Sequence, residues 1–482
     1  MKKFLFLCMA ALMVLTMLAG CTSPDDTSSG SNNPAATNSG DTSPTTVEDP
    51  VLTPIDMNGY VFTVAAEGTV LWDQEPGNSD HGDAVMDRVH KIEEDYNCDI
   101  QFTAVNPNDL ASQIETKAMA GEKSYDLINM NLSILGKILP KKFLEPLNNV
   151  EGMHLGASYW FEQVTDIGTF GGKTFFVSPT FNMISSGGNA MFYNIDMLEE
   201  LKLPSPWEYV KKGEWTWDKF IEMGELAFKD TNANNKTDTD DRVGAAVNDP
   251  FGDFAYYAYF ASLHKIIEEN ADGSVSLIMD SERSVTMYNK LNDMLNVRNF
   301  ISYRPENNTN DQQAVGYQFQ RDGNALFHMN VMAMGKAMGR EAEFRFGMVP
   351  LPSLEKGEKN YCPITHNTSV YGLPIKNPDL NKAGVIFNAL ASIGQNEVDV
   401  QIAEYVDNEW FGDEESMEMF KNAADYMLLD KASVFFENRD FVMGTRAVMN
   451  GIKESQDFTS NYETARGAAE IQLNDAWAKI IS

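Results

Sequence analysis

The sequence has little positive charge for its length. Lys and Arg number 37 against 70 acidic residues, and the formal net charge is −33. A surface this acidic repels nucleic-acid phosphates and anionic lipid headgroups, so we expect no nucleic-acid partner. Solubility at an exposed surface is the simplest role for the charge, and we prefer it.

Cysteine is also scarce, with four in the whole chain. Cys8 lies inside the apolar N-terminal segment and Cys21 at its end, which leaves Cys98 and Cys362. One possible bridge is not a disulfide framework. The sequence leaves open whether these two cysteines pair or remain separate buried thiols.

Sequence motifs of common enzymes are missing too. The chain contains no H-E-x-x-H, G-x-S-x-G, Walker or G-x-G-x-x-G motif, and its six histidines are not spaced as a zinc pair. We therefore expect a protein that is not an enzyme and has no organic cofactor. Paired glycosidase carboxylates have no sequence signature among 70 acids, so an exported carbohydrate-active hydrolase remains an alternative.

Only the N-terminus carries a long apolar run. Lys2 and Lys3 precede an apolar stretch over residues 4–17, and Leu-Ala-Gly-Cys follows at 18–21. This pattern predicts a lipoprotein signal peptide, residues 1–20, with lipid attached to Cys21. An uncleaved anchor with a chance cysteine is the alternative. No later apolar run reaches the ~18 residues of a membrane span.

The segment after Cys21 consists mainly of Ser, Thr, Asn, Asp, Gly and Pro up to residue 50. So few apolar side chains cannot offset the entropy of ordering the chain. We predict a lipid-anchored disordered linker over residues 21–57. As a flexible coil, residues 22–50 would span roughly 30 Å.

The folded part begins near Asn58 with alternating strand and helix patterns. Residues 60–65 and 100–103 are β-rich, residues 125–130 form a third apolar segment, and helical spacing of apolar residues separates them. Such alternation predicts an α/β fold with parallel strands, whose ligands bind beyond the carboxyl ends. The candidate ligand residues at those ends are Glu67, Trp72, Asp73 and Asn131.

A polar loop follows the helical pattern that ends near Lys229. Its oxygen-bearing residues have the spacing of an EF-hand loop, in which position 7 contributes a backbone carbonyl. The predicted calcium ligands are Asp230, Asn232, Asn234, Lys236, Asp238 and Asp241. Asn235 replaces the usual glycine and Asp241 the usual glutamate, so we expect weak binding of a structural Ca²⁺, with Kd roughly 10⁻⁴ to 10⁻³ M. A hydrated loop without metal is the alternative.

Several segments, in order, resemble the family 1 extracellular solute-binding proteins of bacterial ABC importers. They are the lipobox at 18–21, YDLINM, GGKTFFVSPTFN before MFYNIDMLEEL, GEWTWDKF, GNALFHM, FRFGMVPLP and SVYGLPIKNPDLNKAGVIFNAL. The resemblance implies a two-lobed periplasmic-binding-protein-like fold with hinge crossovers and an interlobe cleft. It implies lobe 1 at residues 58–180 plus 317–366 and lobe 2 at 187–312 plus 370–482. The implied crossovers lie near residues 179–186, 311–317 and 365–371.

The resemblance also implies further ligand residues. Tyr193 stands in the family's F-Y-N-x-D motif, and Asn330 stands where many members carry Trp. Side chains placed at or near the crossovers and in the aromatic segment FGDFAYYAYF complete the set: Phe181, Asn182, Tyr256 and His366. Aromatic rings would stack on sugar rings while polar side chains bind hydroxyls.

The function that follows from the resemblance is that of a substrate-binding lipoprotein. It would capture a solute, for which the family suggests an oligosaccharide, and deliver it to the transmembrane subunits of an ABC permease. The expected location is the outer face of the cell membrane, through the lipid anchor, and the expected state is a monomer. A lipoprotein that presents the solute to a membrane kinase is the alternative.

Overall fold

The computed structural model describes residues 49–68, 71–248, 253–303, 309–364, 368–406, 410–435 and 451–482. The predicted signal peptide, Cys21 and the linker up to residue 48 lie outside these ranges, as does His366. Within the described ranges, no helix combines the length and apolar character needed to cross a bilayer.

The strands in chain order are β1 Tyr60–Ala66, β2 Cys98–Ala104, β3 Leu127–Asn131, β4 Thr169–Phe170, β5 Lys173–Thr174, β6 Asn189–Asn194, β7 Val243–Val247, β8 Ile267–Glu269, β9 Val275–Leu277, β10 Ile301–Tyr303, β11 Ala325–Val331, β12 Phe346–Pro350, β13 Cys362–Pro363, β14 Ser369–Gly372 and β15 Met427–Leu428.

The helices are α1 Asp80–Tyr96, α2 Pro107–Ala120, α3 Leu132–Ile138, α4 Glu162–Ile167, α5 Ile195–Leu201, α6 Pro206–Lys211, α7 Trp217–Ala227, α8 Ala255–Leu263, α9 Glu282–Asn292, α10 Thr309–Gln320, α11 Gly335–Glu341, α12 Leu380–Val406, α13 Glu414–Lys421, α14 Ala423–Tyr426 and α15 Phe458–Ile481. Short 3₁₀ turns connect several of them.

The first sheet has the strand order β14-β3-β1-β2. Strands β2 and β3 both pair with β1 in parallel, as the alternating pattern predicts, while β14 joins β3 in the antiparallel direction. Helix α1 begins at the N-cap Ser79, whose side chain accepts from the Gly82 backbone, and ends at Asn97 in the left-handed conformation. Its apolar face packs on the sheet and against α12.

The second sheet has the order β10-β7-β11-β6-β12. Strands β10 and β11 run parallel to β7, and β6 runs antiparallel to both β11 and β12. Helix α7 packs on β7, and its N-cap Thr216 accepts a hydrogen bond from the Lys219 backbone. Each sheet is thus the centre of one lobe, and both lie within one unit, Glu48–Ser482.

The pairing corrects the predicted lobe boundaries. Strands β11 and β12 lie in the predicted lobe 1 segment 317–366, but they pair with β6 and β7 of the second sheet. Conversely, residues 370–372 of β14 and all of α12 lie in the predicted lobe 2 segment, but β14 pairs with β3 of the first sheet and α12 packs against α1. The predicted crossover at 311–317 falls inside α10, which packs on β7 and β11. The chain instead crosses again after α12, because α13 packs on β12.

The linker also ends earlier than predicted. The Asp49 carboxylate accepts hydrogen bonds from the Ser158 backbone at 2.7 Å and from its hydroxyl at 2.5 Å. Met57 is buried, and its backbone N–H donates to the Tyr96 carbonyl at 2.8 Å. Asp49 and Met57 are therefore both attached to the first lobe, within the segment predicted to be a linker.

Both remaining cysteines are free and buried. Cys98 begins β2 of the first sheet, whereas Cys362 begins β13, which pairs with β15. Burial raises the pKa of the Cys98 thiol to about 11 and that of Cys362 further still. Of the two alternatives, the structure therefore shows the separate buried thiols.

Candidate functional site

A cavity of about 590 Å³ lies where the chain crosses between the two sheets. The crossover at residues 182–189 forms one side, and the carboxyl ends of β7 and β11 form another. Ser369, at the start of β14, contributes from the first sheet. This volume lies within the range of about 300–1,000 Å³ that is usual for small-molecule sites.

Uncharged polar side chains dominate the polar part of the wall. The amide residues are Asn182, Asn189, Asn248 and Asn330, and the hydroxyl residues are Ser186, Thr368 and Ser369. Asp253 is the only charged residue among the described residues of the wall. Tyr257 and Phe254 add aromatic surface. Amides and hydroxyls beside aromatic rings suit a neutral ligand that has many hydroxyl groups.

Asn248 follows directly after β7. Its side-chain Oδ1 is buried and has no hydrogen-bond partner among the described residues. Gly316 of α10 packs against this amide, since a Cβ there would lie 3.0 Å from both Oδ1 and Nδ2. A buried acceptor without a donor costs about 1–3 kcal/mol. A ligand hydroxyl that donates to Oδ1 would offset this cost.

Asn182 lies on the crossover side of the cavity. Its Nδ2 donates to the Ser178 hydroxyl at 3.0 Å and to the Ser369 carbonyl at 2.6 Å. Both N–H groups are therefore used to join the crossover to β14, and Oδ1 remains as an acceptor. The structure thus places Asn182 and Asn330, both predicted ligand residues, on the cavity wall.

Trp72 and Phe181 are core residues, which corrects their predicted ligand roles. They are 3% and 0% exposed, and their rings lie 5.3 Å and 3.9 Å from the guanidinium of Arg88. Arg88 Nε lies 3.2 Å from Glu397 Oε1, and burial raises the pKa of Glu397 to about 7. Tyr371 packs against both aromatic rings. A buried cation is attracted to the electron-rich faces of aromatic rings. Both rings therefore face Arg88 in the core instead of the cavity.

Tyr193 is also a core residue. It is 1% exposed, and its hydroxyl donates to Asp413 Oδ2 at 2.5 Å instead of facing the cavity. In the segment FGDFAYYAYF, Tyr257 lines the cavity and Tyr256 does not. Helix α8 is buried on nearly every face, so its sequence could not show which ring meets the cavity.

The residues predicted after the first-sheet strands lie off the cavity wall. Glu67 and Asp73 are exposed, and neither lines the cavity. Asn131 is the N-cap of α3, accepting from the Ile134 backbone at 3.1 Å, and it pairs with the cavity residue Ser369. Its position is therefore next to the cavity, and its side chain serves the helix.

The sequence reasoning missed Asn189, Asn248, Asp253, Tyr257, Thr368 and Ser369 on the cavity wall. Asn248 follows the β-rich segment VGAAV, which forms β7. Recognising β7 would have placed Asn248 at a strand end, where ligands bind in α/β sheets.

The Asp230–Asp241 loop is held together by its own side chains. Asn232 and Asn234 each donate from Nδ2 to the Asp238 carboxylate, the latter at 2.7 Å, and Asp241 accepts from the Asp238 backbone at 3.0 Å. Asn235 has φ 60°, the left-handed conformation that the usual glycine supplies. Asp230 Oδ1 is buried without a partner among the described residues. In the described part of the chain, however, no group of three or more His, Cys, Asp or Glu side chains is arranged so that it could hold a metal ion.

Comparison with known proteins agrees with this architecture. The family model described as bacterial extracellular solute-binding protein matches residues 78–281. No curated protein sequence matches the chain.

Similar solved structures include the GacH receptor of Streptomyces glaucescens GLA.O, studied with acarbose, at 14% identity and TM-score 0.53, covering 88% of this chain and 98% of that one. An ABC substrate-binding protein of Listeria monocytogenes in complex with cycloalternan has 15% identity and TM-score 0.54, with coverages of 87% and 100%. A cyclo/maltodextrin-binding protein complexed with maltotetraose has 13% identity and TM-score 0.58, with coverages of 86% and 97%.

These likenesses show that the fold is the two-lobed fold of the periplasmic sugar-binding proteins. The proteins compared are binding proteins and not enzymes. The family match over residues 78–281 also supports the resemblance of the chain to the bacterial extracellular solute-binding proteins.

Proposed function

We propose that this chain is the substrate-binding lipoprotein of an ABC importer and that it captures a neutral oligosaccharide in the cavity. The observation that carries the proposal is the 590 Å³ cavity between the sheets, with four asparagine amides and Tyr257 on its wall. The sugars bound by proteins of the same fold support it. The ligand is bound and released without cleavage.

The experiment is a binding screen by thermal shift and calorimetry. The probes are maltotriose, maltotetraose, cellotriose and xylotriose, with trigalacturonate as an anionic comparison. We expect one class of neutral glycan to raise the melting temperature and to be recovered uncut. A tripeptide and spermidine serve as non-sugar probes, and stabilisation by these alone, or shortening of the glycans, would contradict the proposal.

A matched pair of variants tests whether the ligand binds in the cavity. In Asn248→Ala the buried acceptor is lost, and we expect affinity to fall by about 1 kcal/mol, roughly fivefold. Asn149→Ala makes the same change at an exposed position outside the cavity wall and should leave affinity unchanged. Equal affinities of the two variants would place the ligand elsewhere.

The anchor, the permease and the calcium ion belong to the same proposal. A lipid on Cys21 would hold the binding lobes at the outer face of the membrane, next to the transmembrane subunits that receive the solute. The chain would act as a monomer.

Calcium would bind the Asp230–Asp241 loop, where the buried Asp230 Oδ1 and the left-handed backbone of Asn235 favour a cation. Rotating the Asn232 and Asn234 amides would turn their oxygens toward it.

A further inference from the structure

His328 lies on β11, two residues before the cavity residue Asn330. Its ring is 1% exposed and stacks on Phe319, with ring centroids 5.6 Å apart. Nδ1 lies 2.9 Å from the carbonyl oxygen of Ala246 on β7. A carbonyl oxygen only accepts hydrogen bonds, so Nδ1 must carry a proton.

The other ring nitrogen, Nε2, meets two amide groups. Asn330 Nδ2 lies 3.3 Å from it and Gln320 Nε2, at the end of α10, lies 3.1 Å from it. Burial lowers the pKa of His328 to about 4, so the ring is neutral near pH 7 and Nε2 is an acceptor. The neutral ring therefore accepts from the amide nitrogens, which fixes its tautomer.

The Asn330 amide is held from its other end as well. Its Oδ1 accepts from the backbone N–H of Val331 at 2.8 Å. A rotated amide would place N–H against N–H at that contact and would also lose the bond to His328. The orientation of Asn330 is therefore determined by two groups, one of which is the histidine.

The Asn330 amide keeps hydrogen-bonding groups that His328 and Val331 do not use. An asparagine amide has two N–H groups and two oxygen lone pairs, and one of each is used by His328 and Val331. One donor and one acceptor are left on a residue that lines the cavity. Neighbouring hydroxyl groups of a sugar offer both an acceptor and a donor, whereas a carboxylate only accepts and an ammonium only donates.

We propose that His328 is a positioning residue that orients the Asn330 amide, so that this amide binds a pair of hydroxyl groups on a neutral glycan. The inference rests on the proposed function and extends it, because it selects hydroxyl pairs over charged sugar substituents. His328 itself does not contact the ligand.

Two substitutions separate the two roles of the imidazole. His328→Gln reaches the position of Nε2 and keeps an acceptor for Asn330, but it loses the bond to Ala246. His328→Asn reaches the position of Nδ1 and keeps that bond, but it loses the acceptor. Both variants should lower the melting temperature, since each loses a buried hydrogen bond.

Affinity should distinguish them. With the neutral probe that binds in the screen, we expect His328→Asn to weaken binding about tenfold and His328→Gln less than threefold. The ratio of the affinity for that probe to the affinity for trigalacturonate should fall in His328→Asn alone. Equal losses of affinity in the two variants, or losses that follow the melting temperatures, would overturn the positioning role.

A second measurement needs no ligand. In protein labelled with ¹⁵N-histidine, the His328 signals, identified by their disappearance in His328→Gln, should show a proton on Nδ1 and none on Nε2 at pH 7. A proton on Nε2 would overturn the inference. If the wild-type protein binds none of the glycans, the proposed function fails, and this spectrum alone decides the geometry at His328.

Discussion

The Tyr193 hydroxyl and the Asp413 carboxylate join the second sheet to α13. Burial and the neighbouring carboxylate raise the pKa of Tyr193 well above its ordinary value, so the hydroxyl stays protonated and donates. Asp413 also caps α13, with its Oδ1 accepting from the Ser416 backbone at 2.7 Å. The Tyr193 hydroxyl thereby binds the carboxylate that caps α13 instead of a ligand. The neighbouring Phe192 ring packs on Phe346 in the same core.

Tyr193→Phe tests this structural role at the residue scale. Loss of a buried hydrogen bond to a charged group should lower the free energy of unfolding by about 1.5–3 kcal/mol, measured in urea. Tyr125→Phe, which removes a hydroxyl bond to Gln113 of 2.8 Å near the surface, should cost less than about 1 kcal/mol. Glycan affinity should change in neither variant. A large loss of glycan affinity with unchanged stability would instead indicate that Tyr193 contacts the ligand.

At the scale of elements, α7 and β7 approach each other through glycines. A Cβ at Gly244 of β7 would lie 2.3 Å from the Gly224 carbonyl oxygen of α7. That oxygen belongs to the helix backbone, so it cannot move alone. The short distance brings α7 onto β7, the strand whose carboxyl end is followed by Asn248.

Gly244→Ala should therefore destabilise the protein by about 1–3 kcal/mol or more, because the helix must shift away from the strand. Gly467→Ala is the matched control: it lies in α15 with open space around its Cβ position. Helix propensity predicts that this control raises stability by about 0.5–1 kcal/mol. Urea denaturation that gives the same sign for both variants would contradict the close packing of α7 on β7.

The Asp230–Asp241 loop is the second element with a testable role. At roughly 5 mM Ca²⁺, above the Kd of ~10⁻⁴ to 10⁻³ M that is typical of extracellular modules, the melting temperature should rise relative to EDTA. Asp230→Ala with Asp241→Ala should abolish this rise. Asp240→Ala, an exposed aspartate between ligand positions, should keep it. If calcium does not raise the melting temperature of the parent protein, the metal site is wrong and the loop is a hydrated loop without metal.

At the scale of the whole molecule, anchoring and binding should be separable. Cys21→Ala removes the proposed lipid attachment, so the protein should move from the membrane fraction to the soluble fraction with unchanged glycan affinity and impaired uptake. Cys8→Ala changes a cysteine in the same N-terminal segment and should leave the protein at the membrane. A Cys21→Ala protein that stays at the membrane would point to an uncleaved apolar anchor.

The sequence by itself determined the features that depend on neighbouring residues. It predicted the order β1-α1-β2-α2-β3 and the parallel pairing within it, because apolar periodicity and caps such as Gly121 are local signals. The ordered segments also predicted the resemblance to the extracellular solute-binding proteins, whose family model matches residues 78–281. The resemblance implied that Asn182 and Asn330 bind the ligand, and the structure places both on the cavity wall.

Only the tertiary structure decided which lobe each later segment joins and which side chains face the cavity. Strands β11 and β12 could pair with either sheet as far as their own residues show, and partners more than a hundred residues away in the chain, such as β6, settled the choice. Likewise, Trp72 turns inward because Arg88 and Tyr371 lie beneath it, while Asn248 reaches the cavity because β7 ends there. Such long-range packing leaves no periodic signal in the sequence, so aromatic residues expected at the ligand became core and amides became the wall of the site.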